Sequence, residues 1–138
     1  MAGERDLAKL FSQLTPTVQP ETFVFCSFPD FKTPFAVEPI ATFREVEGLT
    51  AIVSKKQADA LRLEFAFECT MITLSVHSSL EAIGFLARIS AALAAKDIPC
   101  NFVSGYYHDH VFVPPQRVSD ALDALAALAS SLSAGRQG

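Results

Sequence analysis

The chain has 138 residues, of which 50% are hydrophobic and 19% charged, with a net charge of −4. That apolar content suits one compact unit or two small subdomains sharing a core, and it argues against disorder. With 15 acidic residues, 11 basic ones and no Lys/Arg cluster, the chain lacks the counterion-releasing surface that nucleic-acid binding requires. No apolar run approaches the ~20 residues of a membrane-spanning helix. The charged start, Met1 to Asp6, has no long apolar stretch behind it, so no secretory signal is expected. Cys26, Cys69 and Cys100 are widely spaced in apolar surroundings and read as reduced thiols, which suits a cytoplasmic protein.

Leu7, Leu10, Phe11 and Leu14 recur at helical spacing and predict a short amphipathic helix, ended by Pro16 and Pro20. Residues 22–28 are aromatic and β-branched and predict a strand. Pro29, Pro34 and Pro39 mark an extended loop. Strands over residues 40–46 and 49–53 then flank a tight turn at Glu47 and Gly48. Ser54 and Gln57 fit a capping box that opens a helix reaching about Leu63. Residues 65–76 are extended, and the part from Met71 to Val76 is apolar on both faces, as for a central strand covered twice.

A second long helix is expected with Leu80, Ile83, Leu86, Ile89, Ala92 and Leu93 on its inner face, leaving Phe85 and Arg88 pointing elsewhere. Phe85 then reads as a partner contact. Lys96 suits the last turn and Pro99 ends it. Residues 100–107 and 110–113 form a hairpin, and Pro114-Pro115 opens a last helix with Val118, Ala121, Leu122, Leu125, Ala129 and Leu132 inward. The tail from Ser133 to Gly138 is small and polar and is expected to fray. The order predicts an α+β fold of two halves, 1–63 and 64–138. The second is a split βαβ unit lacking its last strand. The orphan strand over residues 22–28 is expected to supply it and interleave the halves, because a buried sheet edge needs partners.

The stretch from Val76 to Ile89, with Ser78-Ser79-Leu80-Glu81 ahead of Gly84, resembles the first strand, loop and helix of ACT domains. Leu93 and then Ile98-Pro99-Cys100-Asn101 resemble that family's passage into the second strand. Residues 104–113 resemble the hairpin of ACT repeats in aspartokinases and the cytosolic arginine sensor. The resemblance is to small stand-alone bacterial tandem ACT proteins. It implies ferredoxin-like βαββαβ units, antiparallel sheets with helices on one face, and a non-catalytic regulatory module. Such a module binds an amino acid or related metabolite between paired ACT units, in a homodimer, and passes its signal to a separate, unidentified protein partner. Carried over by position, the ligand site would comprise Ser78, Ser79, Leu80, Glu81 and Gly84, with Asn101 and Asp109. No cofactor is implied. The family's Asp-x-Pro-Gly entrance is absent, since Ala82-Ile83 precede Gly84.

Other readings compete at the same residues. Ser78 and Glu81 fit a capping box, in which case Glu81 would occupy the helix donors and repel an anion. Gly84 serves close helix packing as readily as ligand approach. Cys100, His108, Asp109 and His110 lack the paired spacing of a structural zinc site. His77 beside Ser78 and Ser79 lacks a nucleophile elbow, so no hydrolase is read here. Gly105-Tyr106-Tyr107 faintly resembles an RNA-stacking strand, but Ser104 stands where a basic residue belongs. An ACT-fold interaction domain without any ligand is the alternative function.

Overall fold

The computed structural model describes residues 3–136. Chain order is α1 (Leu7–Gln13), β1 (Thr15–Phe28), β2 (Ala41–Arg44), β3 (Leu49–Ser54), α2 (Lys55–Ala60), β4 (Ala66–Ser75), α3 (Phe85–Ala94), β5 (Asn101–Ser104), β6 (Asp109–Val113) and, after a 3₁₀ turn at Pro115–Arg117, α4 (Val118–Arg136). Two units emerge: Met1–Gln19 with Met71–Gly138, and Pro20–Thr70. Both β1 and β4 pass from one unit into the other.

In the larger unit the strand order is β1-β4-β6-β5. The β5–β6 hairpin is antiparallel, from Asn101 opposite Phe112 to Ser104 opposite Asp109. Alternation along a strand puts Ile72 and Leu74 of β4 and Val111 and Val113 of β6 on one face, and Val76 just past β4 joins the same core. Three helices pack against it, through Leu10 and Phe11 of α1, Phe85, Ile89 and Leu93 of α3, and Ala121, Ala124 and Leu125 of α4. The inner face of α4 is the expected one. The other face of β4 is polar, contrary to the expectation of a strand apolar on both sides. There the Thr73 hydroxyl lies 3.0 Å from His110 Nδ1 and accepts from Gln19 Nε2 at 3.2 Å, while Thr17 and Ser75 hydroxyls meet at 2.9 Å.

In the smaller unit the order is β2-β3-β1-β4. The β2–β3 hairpin and the β1–β3 pair are both antiparallel, the latter running from Phe23 opposite Ser54 to Phe28 opposite Leu49. Val24, Cys26, Val37, Ala51, Val53 and Ala58 form its core. Ser54 caps α2 as expected, its Oγ accepting from the Gln57 amide at 3.2 Å. Gln57 does not close the reciprocal half of the box; its amide group reaches the Glu38 N–H and the Ala36 carbonyl of the preceding loop instead. Cys69 donates to the Phe23 carbonyl, and burial pushes its thiol up to about 12. All three cysteines are free.

β5 ends at Ser104 rather than at Tyr107, β2 spans only Ala41–Arg44 and α2 stops at Ala60, and three further boundaries differ from the sequence reading. β1 begins at Thr15 and carries Pro16 and Pro20 within it, so the stretch belonging to the larger unit lies upstream of residues 22–28. α4 continues through Ser133 to Arg136 where a frayed tail was expected; Gln137 and Gly138 lie outside the described residues. The third difference matters most. α3 starts at Phe85, several residues later than the apolar spacing implied. Leu80 and Ile83 are therefore 68% and 82% exposed rather than inward, while Phe85 is 3% exposed and stacks on Phe11 at 5.1 Å. Phe85 is a core residue and not a partner contact.

Candidate functional site

The segment between β4 and α3 is held by short-range bonds. The Ser78 amide donates to the Val76 carbonyl at 2.9 Å, and the Ala82 amide to the Ser79 carbonyl at 3.0 Å. Ser79 Oγ accepts from the Glu81 amide at 3.0 Å. Gly84 then takes φ +88°, a left-handed conformation that glycine adopts without penalty, and the chain turns directly into α3. This is why the helix starts late. The expected capping box at Ser78 and Glu81 does not form, because these residues precede the helix by more than a turn. No side chain caps α3 and no acidic residue lies in its first turn. The amides of Phe85, Leu86 and Ala87 thus have no carbonyl partner within the helix.

Asp109 opens β6 and shares the helix-facing side with Val111 and Val113. It is 6% exposed, and one carboxylate oxygen accepts from the buried Ser78 hydroxyl at 2.7 Å. Between this pair and the start of α3 lies a cavity of about 240 Å³. Five of the seven expected site residues line it: Ser78, Ser79, Leu80, Gly84 and Asp109. Glu81 and Asn101 do not. Glu81 is exposed at the loop surface, and Asn101 lies at the far end of β5 from Ser104.

The remaining walls come from Ala82, Phe85, Leu86, Ala87 and Ser104, none of which was among the expected site residues. Ser104 was within reach of it, since pairing the hairpin strands sets Ser104 opposite Asp109. The helix residues were not, because the apolar spacing gave the wrong start. No lysine or arginine lines the cavity, so its carboxylate has no cationic partner among the lining residues. At the loop's outer side the His77 and Tyr107 rings lie 5.2 Å apart, with Tyr106 against Tyr107 at 4.9 Å.

Burial and the nearby His108 charge lower the pKa of His110, with Asp109 opposing them. Among the described residues no group of three or more His, Cys, Asp or Glu side chains is placed to hold a metal ion. No helix among them is long and apolar enough to cross a membrane.

Two models of the ACT domain match the sequence, one over residues 2–70 and the other over residues 66–127. The chain belongs to the ACT-domain family. Its tandem ACT architecture is shared by a Vibrio cholerae protein of unknown function, described as a possible transport protein. That protein is 38% identical, with 89% of this chain and 95% of that one covered and a TM-score of 0.77. A protein from Agrobacterium tumefaciens shares the fold at 12% identity, covering 84% of this chain and 89% of its own, TM-score 0.70. So does the ligand-free regulatory subunit of aspartate kinase from Thermus thermophilus, at 12% identity, 83% and 97% coverage and TM-score 0.58. No curated protein sequence matches the chain. ACT domains are regulatory modules of a ligand-binding type, and the ferredoxin-like α+β fold expected from the sequence is the one observed.

Proposed function

We propose that this protein is a non-catalytic regulatory module whose two ACT halves, 1–63 and 64–138, serve the binding of an amino acid or related small metabolite in the cavity beside Asp109. The carrying observation is a buried carboxylate that shares a cavity with an uncapped helix start and with no basic side chain. An amino acid offers the complementary pair of charges. Its ammonium would meet the Asp109 carboxylate in a charge-assisted bond. Its carboxylate would accept from the first amides of α3, where the helix dipole favours an anion. A second copy closing the open side of the cavity, as a homodimer, completes the reading. Ligand would then shift the population of subunit arrangements sensed by another protein.

The exposed Leu80 and Ile83 beside the cavity favour one alternative, an interaction domain that uses this surface without any ligand. A thermal-shift panel of the twenty amino acids separates the two. A ligand at a hundred times its Kd adds about 2.7 kcal/mol of stability, a rise of roughly 8 °C at this chain length. A flat panel, extended to organic acids and nucleotides, would leave the interaction reading in place.

A further inference from the structure

The loop that carries Ser78 is not held in place by its own hydrogen bonds alone. Glu4 forms a parallel bridge with Ser78. Its amide donates to the His77 carbonyl at 2.8 Å, and its carbonyl accepts from the Ser79 amide at 2.9 Å. These two bonds bracket Ser78, whose hydroxyl holds Asp109. Gly3 lies still closer. A Cβ there would stand 2.6 Å from the His77 carbonyl oxygen and from the Ser78 carbonyl carbon, and 2.7 Å from the Ser79 nitrogen. All three are backbone atoms with no side-chain slack, so only glycine lets the segment lie this near.

The same stretch of chain grips the other end of the loop through side chains. Leu7 Cδ1 is 3.5 Å from where a Cβ of Gly84 would sit, and Phe11 stacks on Phe85. Between these two grips the loop carries the local turn bonds from the Ala82 amide to the Ser79 carbonyl and from the Glu81 amide to Ser79 Oγ.

We propose that Gly3 and Glu4 act as a positioning strap for the cavity, fixing Ser78 so that the Asp109 carboxylate is presented to an incoming cation. The inference rests on the binding reading above and adds a determinant outside the cavity wall. The strap makes no contact with the ligand. It acts through the backbone of His77 and Ser79, which makes the Glu4 side chain dispensable. Its salt bridge to Lys9 is long, at 3.9 Å, and more than a third of each side chain is in water.

The test uses the full chain, carrying Gly3→Ala, Glu4→Pro or Glu4→Ala. Gly3→Ala forces the strap off the loop, and Glu4→Pro deletes the donated amide; Glu4→Ala keeps both backbone bonds. Each is titrated with whichever amino acid shifts the wild-type melting temperature most. Amide exchange at Ser79 is followed in parallel. Gly3→Ala and Glu4→Pro are expected to weaken binding at least tenfold and to accelerate Ser79 exchange, with apo melting temperatures within a few degrees of wild type. Glu4→Ala is expected to behave as wild type in both readouts. Unchanged affinity in Gly3→Ala and Glu4→Pro, with wild type still binding, overturns the strap and leaves the binding reading standing. A wild-type protein that binds none of the twenty, and none of the organic acids and nucleotides of the extended panel, overturns the binding reading, and with it a strap that serves binding. Should Gly3→Ala fold poorly, Glu4→Pro, which adds no Cβ at position 3 and meets the loop only where its ring Cδ replaces the amide hydrogen facing the His77 carbonyl, decides the matter.

Discussion

Replacing Phe85 by alanine removes a side chain that is 3% exposed, stacks on Phe11, and joins the cluster formed by α1, α3, α4 and the sheet face of the larger unit. Truncating a buried phenylalanine costs about 3–5 kcal/mol, from lost transfer energy and from a cavity that neighbours fill only in part. That is a large share of the roughly 5–15 kcal/mol by which a domain is stable. With a urea m-value of about 1.5–2 kcal/mol per molar for this size, the midpoint should fall by roughly 2 M. The paired control is Ile83→Ala. Ile83 is 82% exposed in the loop ahead of α3, so its loss should stay within about 0.5 kcal/mol. Equilibrium urea unfolding of the two variants reads both. Were the helix to start at Leu80 or before, as the apolar spacing suggests, the order would reverse. A Phe85→Ala cost under 1 kcal/mol alongside a larger Ile83→Ala cost would refute the placement of α3, and with it the uncapped amides at the cavity.

Gly84→Ala should lose about 1–2 kcal/mol in thermal melts, because φ +88° is left-handed while the nearest neighbour, Leu7 Cδ1 at 3.5 Å, leaves room for the methyl. A loss near zero would contradict that backbone angle. Asp109→Asn keeps the shape and an acceptor for Ser78 but removes the charge; ligand affinity should fall roughly 10- to 150-fold, the worth of one bond to a charged group. Unaltered affinity in calorimetry would remove Asp109 from the site. His110 has a folded pKa below its unfolded value, since burial disfavours its cation. Its contribution to stability is therefore complete above the unfolded value of 6.5 and is lost as pH falls through the folded pKa. Wild type should melt lower at pH 5.5 than at 7.5, with His110→Gln showing a smaller drop; equal drops would contradict the burial argument.

The ACT fold was legible in the sequence because its signals are local and agree with one another. The aromatic and β-branched runs, the Ser54 cap, the Pro114-Pro115 start and the inner face of α4 each point to the element observed. The start of α3 was not legible. Leu80 and Ile83 continue the helical spacing of Leu86, Ile89 and Leu93, and periodicity alone gives no sign that Gly84 takes a left-handed angle. The cost of that one residue was the burial of Phe85 and the part of the cavity wall formed by Phe85, Leu86 and Ala87. Asp109 and Ser78 were both recognised as candidates, yet their bond spans 31 positions and belongs to tertiary packing. The strap at Gly3 and Glu4 left no trace either, since a backbone bridge of one residue has no side-chain pattern to betray it.

An amide NMR titration with the amino acid that most raises the melting temperature tests the site where the account is most exposed. Shifts concentrated at Ser78, Phe85, Leu86, Ala87 and Asp109, saturating at one equivalent per chain, are the predicted result. Saturable shifts confined elsewhere, with those five amides unmoved, would contradict it.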